Sequence, residues 1–196
     1  MNEASDPTPG GRPRRAATDA AITAATRRLL VEVGYSGLTI EAVATTAGVG
    51  KPTVYRRHRS KASLVAAALL DTLAAANPVA PDSGDVVADA RELLGNLARA
   101  LRSTDFGRAI TEIVSPAARE AELADLFRDA SAERRALIHD VLSRAAEQHR
   151  LIPTDVDTAI DMALGAIYFR HLISHGPIND SFVDGVVASI VAAASQ

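Results

Sequence analysis

Residues 39–64, TIEAVATTAGVGKPTVYRRHRSKASL, hold the most informative pattern in the chain. Two short segments with helical spacing of apolar residues are joined at Gly48. The second segment opens with Pro52, which the first turn of a helix tolerates well because its missing N–H costs little there. Thr39 is suited to cap the first segment, and the small side chain of Ala44 allows the helices to approach closely. The stretch is typical of a helix-turn-helix.

The second segment separates one apolar position from a polar side. With Val54 turned inward, the open side carries Lys51, Thr53, Tyr55, Arg56 and Arg57. From Lys51 to Lys61 there are five basic residues and no acidic one, which is more charge than solubility requires. Lys and Arg bind phosphates and guanine edges, and a hydroxyl forms adaptable hydrogen bonds. The pattern favours DNA contact, although a solvated position is an equal alternative for Arg56.

The flanking sequence predicts the domain limits. Residues 1–15 contain three Pro and two Gly without apolar periodicity, which predicts a disordered basic arm. A helix is expected from about Thr18 to Gly34, and another begins near Ser60. Proline and glycine interrupt the chain between positions 77 and 84. The predicted domains are an arm over 1–15, a helix-turn-helix domain over 16–77 and a helical body over 78–196.

The body contains helical periodicity throughout and no alternation long enough to predict a sheet. The fold class is therefore predicted to be all-α, with about nine helices. Apolar residues make up 47% of the chain, and no apolar run approaches the ~18 residues of a membrane-spanning helix. The absence of cysteine excludes disulfides and thiolate zinc sites. Because the first residues lack the apolar centre of a secretory signal, we expect a cytoplasmic protein without membrane contact.

Charge is distributed unevenly along the chain. The first 70 residues hold ten basic and five acidic side chains, whereas the remainder holds 11 basic and 19 acidic ones. A basic head on an acidic body indicates that the head alone meets a polyanion. Chance variation in composition is the alternative at this level.

Residues 18–73 resemble the DNA-binding domain of the TetR family of transcriptional regulators. The resemblance is carried by Gly34-Tyr35, Leu38-Thr39-Ile40, Ala44, Ala47-Gly48-Val49, Thr53-Val54-Tyr55, Lys61 and Leu64. His58 stands where the family usually has a bulky aromatic residue. The C-terminal part matches in the number and order of helices only. The resemblance implies an N-terminal three-helix DNA-binding domain and a C-terminal regulatory and dimerisation domain.

The same resemblance implies a function. Family members act as homodimers on double-stranded DNA, and a dimer recognises a palindromic operator. The expected protein is a repressor that a small hydrophobic or amphipathic ligand releases from DNA. The implied DNA-contacting residues are Arg12, Arg14, Arg15, Thr39, Thr46, Lys51, Pro52, Thr53, Tyr55, Arg56, Arg57 and Lys61. Thr39 would bind a phosphate at a helix start, Lys61 would hold another phosphate, and a semi-buried tyrosine is the alternative for Tyr55.

The last two helices carry the predicted dimer interface. The helix near 159–173 is apolar on several sides, which is unusual for a helix with one solvated face. The last helix brings small side chains near one another, which allows close helix contact. The predicted interface consists of Ile160, Leu164, Ile167, Gly185, Ala188 and Ala192. Burial inside a single protomer is the alternative.

A ligand pocket is expected among the larger or polar residues of the body. The predicted lining is Phe106, Ile110, Phe127, Leu142, Met162, Gly165, Phe169 and His171. Gly165 costs its helix about 1 kcal/mol relative to Ala, so a pocket wall or a close contact is expected there. An ordinary core position is the alternative for each of these residues.

Other kinds of site are weakly supported. His171 and His175 are four residues apart on a helix, but no HExxH motif accompanies them. No nucleophile motif, phosphate-binding glycine loop or set of Glu-x-x-His pairs is present, which disfavours an all-helical enzyme such as a di-iron bundle. We expect no metal, no cofactor and no enzyme activity. A DNA-binding regulator without an inducer, whose body serves dimerisation or a protein partner, is the second hypothesis.

Overall fold

The computed structural model describes residues 11–76, 79–102, 104–147 and 155–193. Within these ranges the chain forms helices and contains no strand. The helices are α1 (Gly11–Gly37), α2 (Ile40–Thr46), α3 (Lys51–Tyr55), α4 (Lys61–Ala76), α5 (Val86–Arg102), α6 (Thr104–Ala117), α7 (Ala121–Glu147), α8 (Val156–Phe169) and α9 (Asp180–Ala193). A single π-helical turn, Arg170–Ser174, extends α8. The predicted all-α fold with about nine helices is confirmed.

Helix α1 begins earlier than the sequence indicates. It starts at Gly11 rather than near Thr18, so a disordered arm is wrong for residues 11–15, and residues 1–10 lie outside the described ranges. Pro13 does not prevent this start, because the first turn of a helix makes no use of its missing N–H. At the other end, Gly34 has a φ of 69° and interrupts the helix, as predicted.

One continuous core joins the head, which comprises α1 to α4, to the body, which comprises α5 to α9. Its largest fully buried side chains are Ile22, Leu30, Leu38, Leu64, Leu69, Leu94, Leu97, Phe106, Leu123, Leu142, Ile160 and Ile167. The predicted boundary near residue 77 falls outside the described ranges. Helix α4 packs against α1 in the head and against α5 and α7 in the body, so it links the two parts.

The packing of the body helices determines where the turn between α6 and α7 lies and which helices cover α8 and α9. Helix α6 lies against α1, which places the turn between α6 and α7 beside the head. Helices α8 and α9 pack against each other, with α7 and α5 behind them. None of the helices in the described ranges combines the length and apolarity needed to cross a lipid bilayer.

Candidate nucleic-acid interface

Helices α2 and α3 form a helix-turn-helix with a small shared core. Val43, Ala44 and Val54 are buried at this core. The turn requires Gly48, whose φ of 66° lies in the left-handed region that strains other side chains. The N–H of Val49 then donates to the carbonyl of Ala44 at 2.9 Å. The turn and the buried Val54 together fix which side of α3 faces outward.

The start of α2 is capped as the sequence indicates. The Oγ1 of Thr39 accepts a hydrogen bond from the N–H of Ala42 at 3.1 Å. Thr39 is exposed, and its own hydroxyl hydrogen can still donate to a phosphate oxygen. Thr46 is half-buried at the last residue of α2. Both threonines therefore lie on the helix-turn-helix, and their contact with DNA stays a prediction.

The outward side of α3 and its C-terminal cap carry five of the predicted DNA-contacting residues: Lys51, Pro52, Thr53, Tyr55 and Arg56. Lys51 forms an ion pair with Glu41, and its Nζ lies 5.6 Å from the centre of the Tyr55 ring. The hydrogen bond to Glu41 raises the pKa of Lys51 and lowers the pKa of Glu41. Since both partners are exposed to solvent, a phosphate can replace Glu41 at little cost.

Arg57 differs from its neighbours on α3. Its Nε donates to a carboxylate oxygen of Asp19 on α1, and its Nη1 donates to the carbonyl of Thr53 at 3.2 Å. Only 18% of the Arg57 side chain is exposed. The expected position on the open side is therefore wrong for Arg57, because Asp19 draws the guanidinium toward α1. A DNA contact of Arg57 requires a phosphate to replace Asp19 and stays a prediction.

Lys61 also has partners within the chain. Its Nζ donates to the carbonyl of Tyr35 at 2.9 Å and lies 4.3 Å from the centre of the Tyr35 ring. These contacts hold the ammonium group at the start of α4. An ammonium group has three donors, so two remain for a phosphate.

The remaining predicted DNA contacts lie near the start of α1. Arg15 is exposed on the helix. The backbone of Arg12 and Arg14 belongs to the same helix, while their side chains lie outside what the structure describes. The three arginines are therefore placed on one helix instead of an arm.

The head is tied to the turn between α6 and α7 and to the first turn of α7 by two side-chain hydrogen bonds, which we call the junction. The hydroxyl of Tyr35 donates to Glu120 at 2.6 Å, and the hydroxyl of Ser60 donates to Glu122. Burial, reinforced by the hydrogen bond to Glu120, holds the pKa of Tyr35 well above its ordinary value. Neither glutamate is evident from the sequence, because their partners lie 85 and 62 positions away. These two hydrogen bonds link the head to the body.

The predicted pocket residues do not gather around one cavity. Phe106, Ile110 and Leu142 are buried in the common core, and Phe127 packs against that core. Met162 and Phe169 are more than half exposed, at 51% and 56%. A Cβ on Gly165 would meet no atom within 4 Å, so the expected close contact at this glycine is wrong.

His171 is the last of the predicted pocket residues. Its Nε2 donates to the carbonyl of Gly107 at 2.8 Å, since a carbonyl oxygen only accepts. It lies beside a cleft of about 580 Å³ between the end of α5, helix α6 and residues 170–179, which we call the basic cleft.

The predicted dimer interface names the wrong side of α8. Ile160 and Ile167 are buried within the protomer, and Leu164 packs against the same core. The outward side of α8 carries Met162 and Phe169 instead, and Ile173 of the π-helical turn is 65% exposed.

On α9, Gly185 and Ala188 are exposed as expected, while the side chain of Ala192 lies outside what the structure describes. A groove of about 640 Å³ runs between α8 and α9, and we call it the outer groove. Its lining includes Met162, Ala166, Phe182, Gly185 and Ser189. Apolar and small side chains therefore meet at one solvent-exposed side of the body.

The described part of the chain contains no group of three or more His, Asp or Glu side chains placed to hold a metal ion. The arrangement in the head is that of a helix-turn-helix DNA-binding protein with an all-helical second domain. This class agrees with comparisons to known proteins. The profile of the bacterial regulatory proteins of the tetR family matches residues 22–68, and that of the tetracyclin repressor-like C-terminal domain matches residues 80–190.

Two similar proteins extend this match over about nine tenths of the chain. An uncharacterised HTH-type transcriptional regulator of Bacillus subtilis, YdeS, is 33% identical over 179 residues, which cover 90% of this chain and 89% of the relative. The crystal structure of the TetR family transcription regulator SCO0332 is 35% identical and superposes with a TM-score of 0.69, covering 91% and 99% of the two chains. The chain belongs to the TetR family of transcriptional regulators.

A more distant structure shows the same fold. The transcriptional regulator FadR from Bacillus subtilis, crystallised in complex with stearoyl-CoA, is 14% identical with a TM-score of 0.72. The superposition covers 89% of this chain and 98% of the FadR chain. At this level of identity the likeness concerns the fold alone.

Proposed function

We propose that the protein is a homodimeric, ligand-responsive repressor that binds a palindromic operator and is released by a small hydrophobic or amphipathic ligand. The observation that carries the dimer is the exposed apolar side of α8, formed by Met162, Phe169 and Ile173. Exposed apolar side chains that recur along one helix favour a protein–protein interaction site. The small residues Gly185 and Ala188 lie on the neighbouring helix and allow close approach of a second copy.

A two-fold axis through this side of the body would make both copies use the same surface. The two α3 helices would then face the same side of the DNA, separated by one helical turn or a multiple of it. An operator with the same two-fold symmetry satisfies both heads equally, which is the reason for expecting a palindrome.

In this proposal α3 enters the major groove. Lys51 and Arg56 contact phosphates or guanine edges, while Thr53 and Tyr55 supply hydroxyl groups. Thr39 and Lys61 contact the backbone on either side and set the register of the head. The arginines at the start of α1 lie on phosphates or in the adjacent minor groove.

Ligand response requires a path from the body to the head. Helix α6 borders the basic cleft through Arg108 and Thr111, and its far end leads to the junction with Tyr35 and Ser60. A ligand that favours a displaced α6 would move the head and alter the spacing of the two α3 helices. Such a ligand acts by binding the DNA-free state more tightly, so that ligand and DNA weaken each other reciprocally.

We place this function in the cytoplasm, where an operator is accessible, and assign no catalytic activity to the chain. The second candidate is a DNA-binding regulator without an inducer, whose body serves dimerisation or a protein partner. It is favoured by the packing of Phe106, Ile110 and Leu142, which are buried in the core instead of lining an apolar pocket.

The test begins with selection from random-sequence DNA at physiological salt, using the full-length protein. We expect enrichment of a palindrome. On that palindrome, Lys51→Ala and Tyr55→Ala should each weaken binding by roughly tenfold or more, because each lost contact is worth about 1–3 kcal/mol. Arg28→Ala is the matched control, since Arg28 is an exposed arginine paired with Glu32 on α1. Its affinity should stay unchanged.

Weak binding that depends steeply on salt, with no enriched sequence, would show that the head is a general polyanion surface. Enrichment of a single half-site would contradict the homodimer. For the ligand, release of the selected operator by fatty acids or other amphipathic molecules supports the inducible repressor. Failure across such a panel favours the regulator without an inducer.

A further inference from the structure

The basic cleft combines positive charge with an irregular backbone. Its lining includes Arg102, Arg108, Arg170, His171 and His175. None of the described lining residues is acidic, and Asp180 pairs with Arg102 from outside the lining. This composition contrasts with that of the chain beyond residue 70 taken as a whole, where acidic residues outnumber basic ones by 19 to 11. A local excess of arginine on an acidic domain marks a place where an anion is favoured.

Two of the arginines are already held in position. Arg170 donates to the carbonyl of Pro177 at 2.7 Å, and its guanidinium stacks 3.8 Å from the centre of the Phe182 ring. Arg102 pairs with Asp180 at 3.5 Å. These contacts orient the guanidinium groups and leave some of their five donors available.

Arg108 is different, because no ion pair or hydrogen bond engages it in the part of the chain that the structure describes. It is exposed and borders the cleft from α6. Thr111 lies one helical turn further along α6 and also borders the cleft. The Thr111 hydroxyl already donates to the carbonyl of Gly107 at 3.2 Å, so the guanidinium of Arg108 is the donor that α6 offers to a carboxylate or phosphate oxygen.

The wall opposite α6 is built from unusual backbone. The turn Arg170–Ser174 is π-helical, and it is followed by His175 with a φ of 51°. π-helical turns and left-handed non-glycine residues are frequent at functional sites. The turn brings the ring of His171 against Gly107, where a Cβ would overlap the carbonyl oxygen of Leu101 and lie 2.9 Å from Cε1 of His171. The close packing gives the cleft a fixed wall.

We propose that the basic cleft binds a small organic anion through a carboxylate or phosphate group, with Arg108 as the principal free donor. The volume of about 580 Å³ falls within the range of small-molecule sites. The apolar side chains of Leu101, Pro177 and Ile178 complete the lining and suit a ligand with a short apolar part. That this anion is the effector rests on the ligand-responsive function proposed above.

The experiment is calorimetric titration of the DNA-free, full-length protein with octanoate and, separately, with inorganic phosphate at constant ionic strength. We expect saturable binding of at least one of them, with one site per protomer. Arg108→Ala should weaken that binding by roughly tenfold or more, because a hydrogen bond to a charged group is lost. Arg128→Ala is the control, since Arg128 is exposed on α7 and paired with Asp125.

Binding of octanoate alone identifies a carboxylate site, and binding of phosphate alone identifies a phosphate site. The proposal is overturned if neither anion binds, or if Arg108→Ala and Arg128→Ala weaken binding equally. Operator release is measured separately with the same anions. Binding that depends on Arg108 without operator release would retain the site and remove its role as the effector site.

Discussion

Helices α3 and α8 differ in how far their surfaces can be predicted. On α3 a single side chain, Val54, is buried and no other aliphatic side chain but Pro52 is present, so the outward side is evident. On α8 apolar side chains occur on both sides of the helix. Ile160 and Ile167 face the core, whereas Met162 and Phe169 face solvent.

The difference has a chemical cause. A surface that binds DNA needs cations and hydroxyl groups, which are unlike the side chains of a protein core. A surface that binds a second copy of the chain uses the same apolar side chains as the core, and the periodicity of 3.6 residues does not distinguish the two. Experiments on α8 therefore test the comparison most directly.

The largest effect is expected for Ile167→Ala. Ile167 is fully buried, so the substitution leaves a cavity and should lower the free energy of unfolding by about 2–5 kcal/mol. Chemical denaturation at several protein concentrations measures this loss apart from dimer dissociation. A loss under about 1 kcal/mol accompanied by dissociation would place Ile167 at the interface, as the sequence alone predicts.

Phe169→Asp should weaken dimerisation and leave the fold intact, which is the opposite of the effect of Ile167→Ala, although the two positions are only two residues apart. A charge on the exposed side of α8 would enter the dimer interface twice, and we expect dimerisation to weaken by about a hundredfold. Sedimentation measures the oligomeric state, and circular dichroism should show an unchanged fold. Val114→Asp is the control, because Val114 is an exposed apolar residue on α6. Equal behaviour of both variants would remove α8 from the interface.

The head was predictable to individual residues where local geometry sets the outcome. Gly34, Thr39, Gly48 and Val54 each have a role that a few neighbours determine. Arg57 was not predictable, because its partner Asp19 is separated from it by 38 positions.

The body was predictable only as a set of helices. Which apolar stripe of α8 faces inward depends on α7 and α9, and the basic cleft joins the end of α5 to residues about 70 positions later. Contacts across such distances in sequence leave no periodic pattern.

Tyr35→Phe tests whether the junction couples ligand binding in the body to operator binding by the head. The ring and its contact with Lys61 are kept, while the hydrogen bond to Glu120 is lost. A hydrogen bond to a charged group contributes about 1.5–3 kcal/mol to stability. Because the junction is only partly buried, we expect a loss near the lower end of this range. We expect this loss in thermal unfolding, together with weaker coupling between ligand and operator binding. Tyr168→Phe, in α8, is the control. Unchanged coupling in Tyr35→Phe would mean that the signal reaches the head by another route.

The smallest effect concerns His58, which is half-buried after α3 where the family usually has an aromatic residue. Burial lowers the pKa of His58 below its ordinary value, and nearby Asp19 opposes this shift only in part. The unfolded chain therefore binds the proton more readily than the folded head does. Above the pKa of about 6.5 in the unfolded chain His58 causes no loss of stability, and the free energy of unfolding falls as the pH drops below that value.

We therefore expect the melting temperature to fall between pH 7.5 and pH 5.5 by more in the natural protein than in His58→Phe. Thermal unfolding of both proteins at the two pH values measures the difference, which isolates His58 from the other histidines. Parallel behaviour of the two proteins would show that His58 is solvated in the folded head. The core beneath α3 would then be less tightly packed than the burial of Val54 indicates. The surfaces of α3 and α8 would then differ less in how well the sequence predicts them.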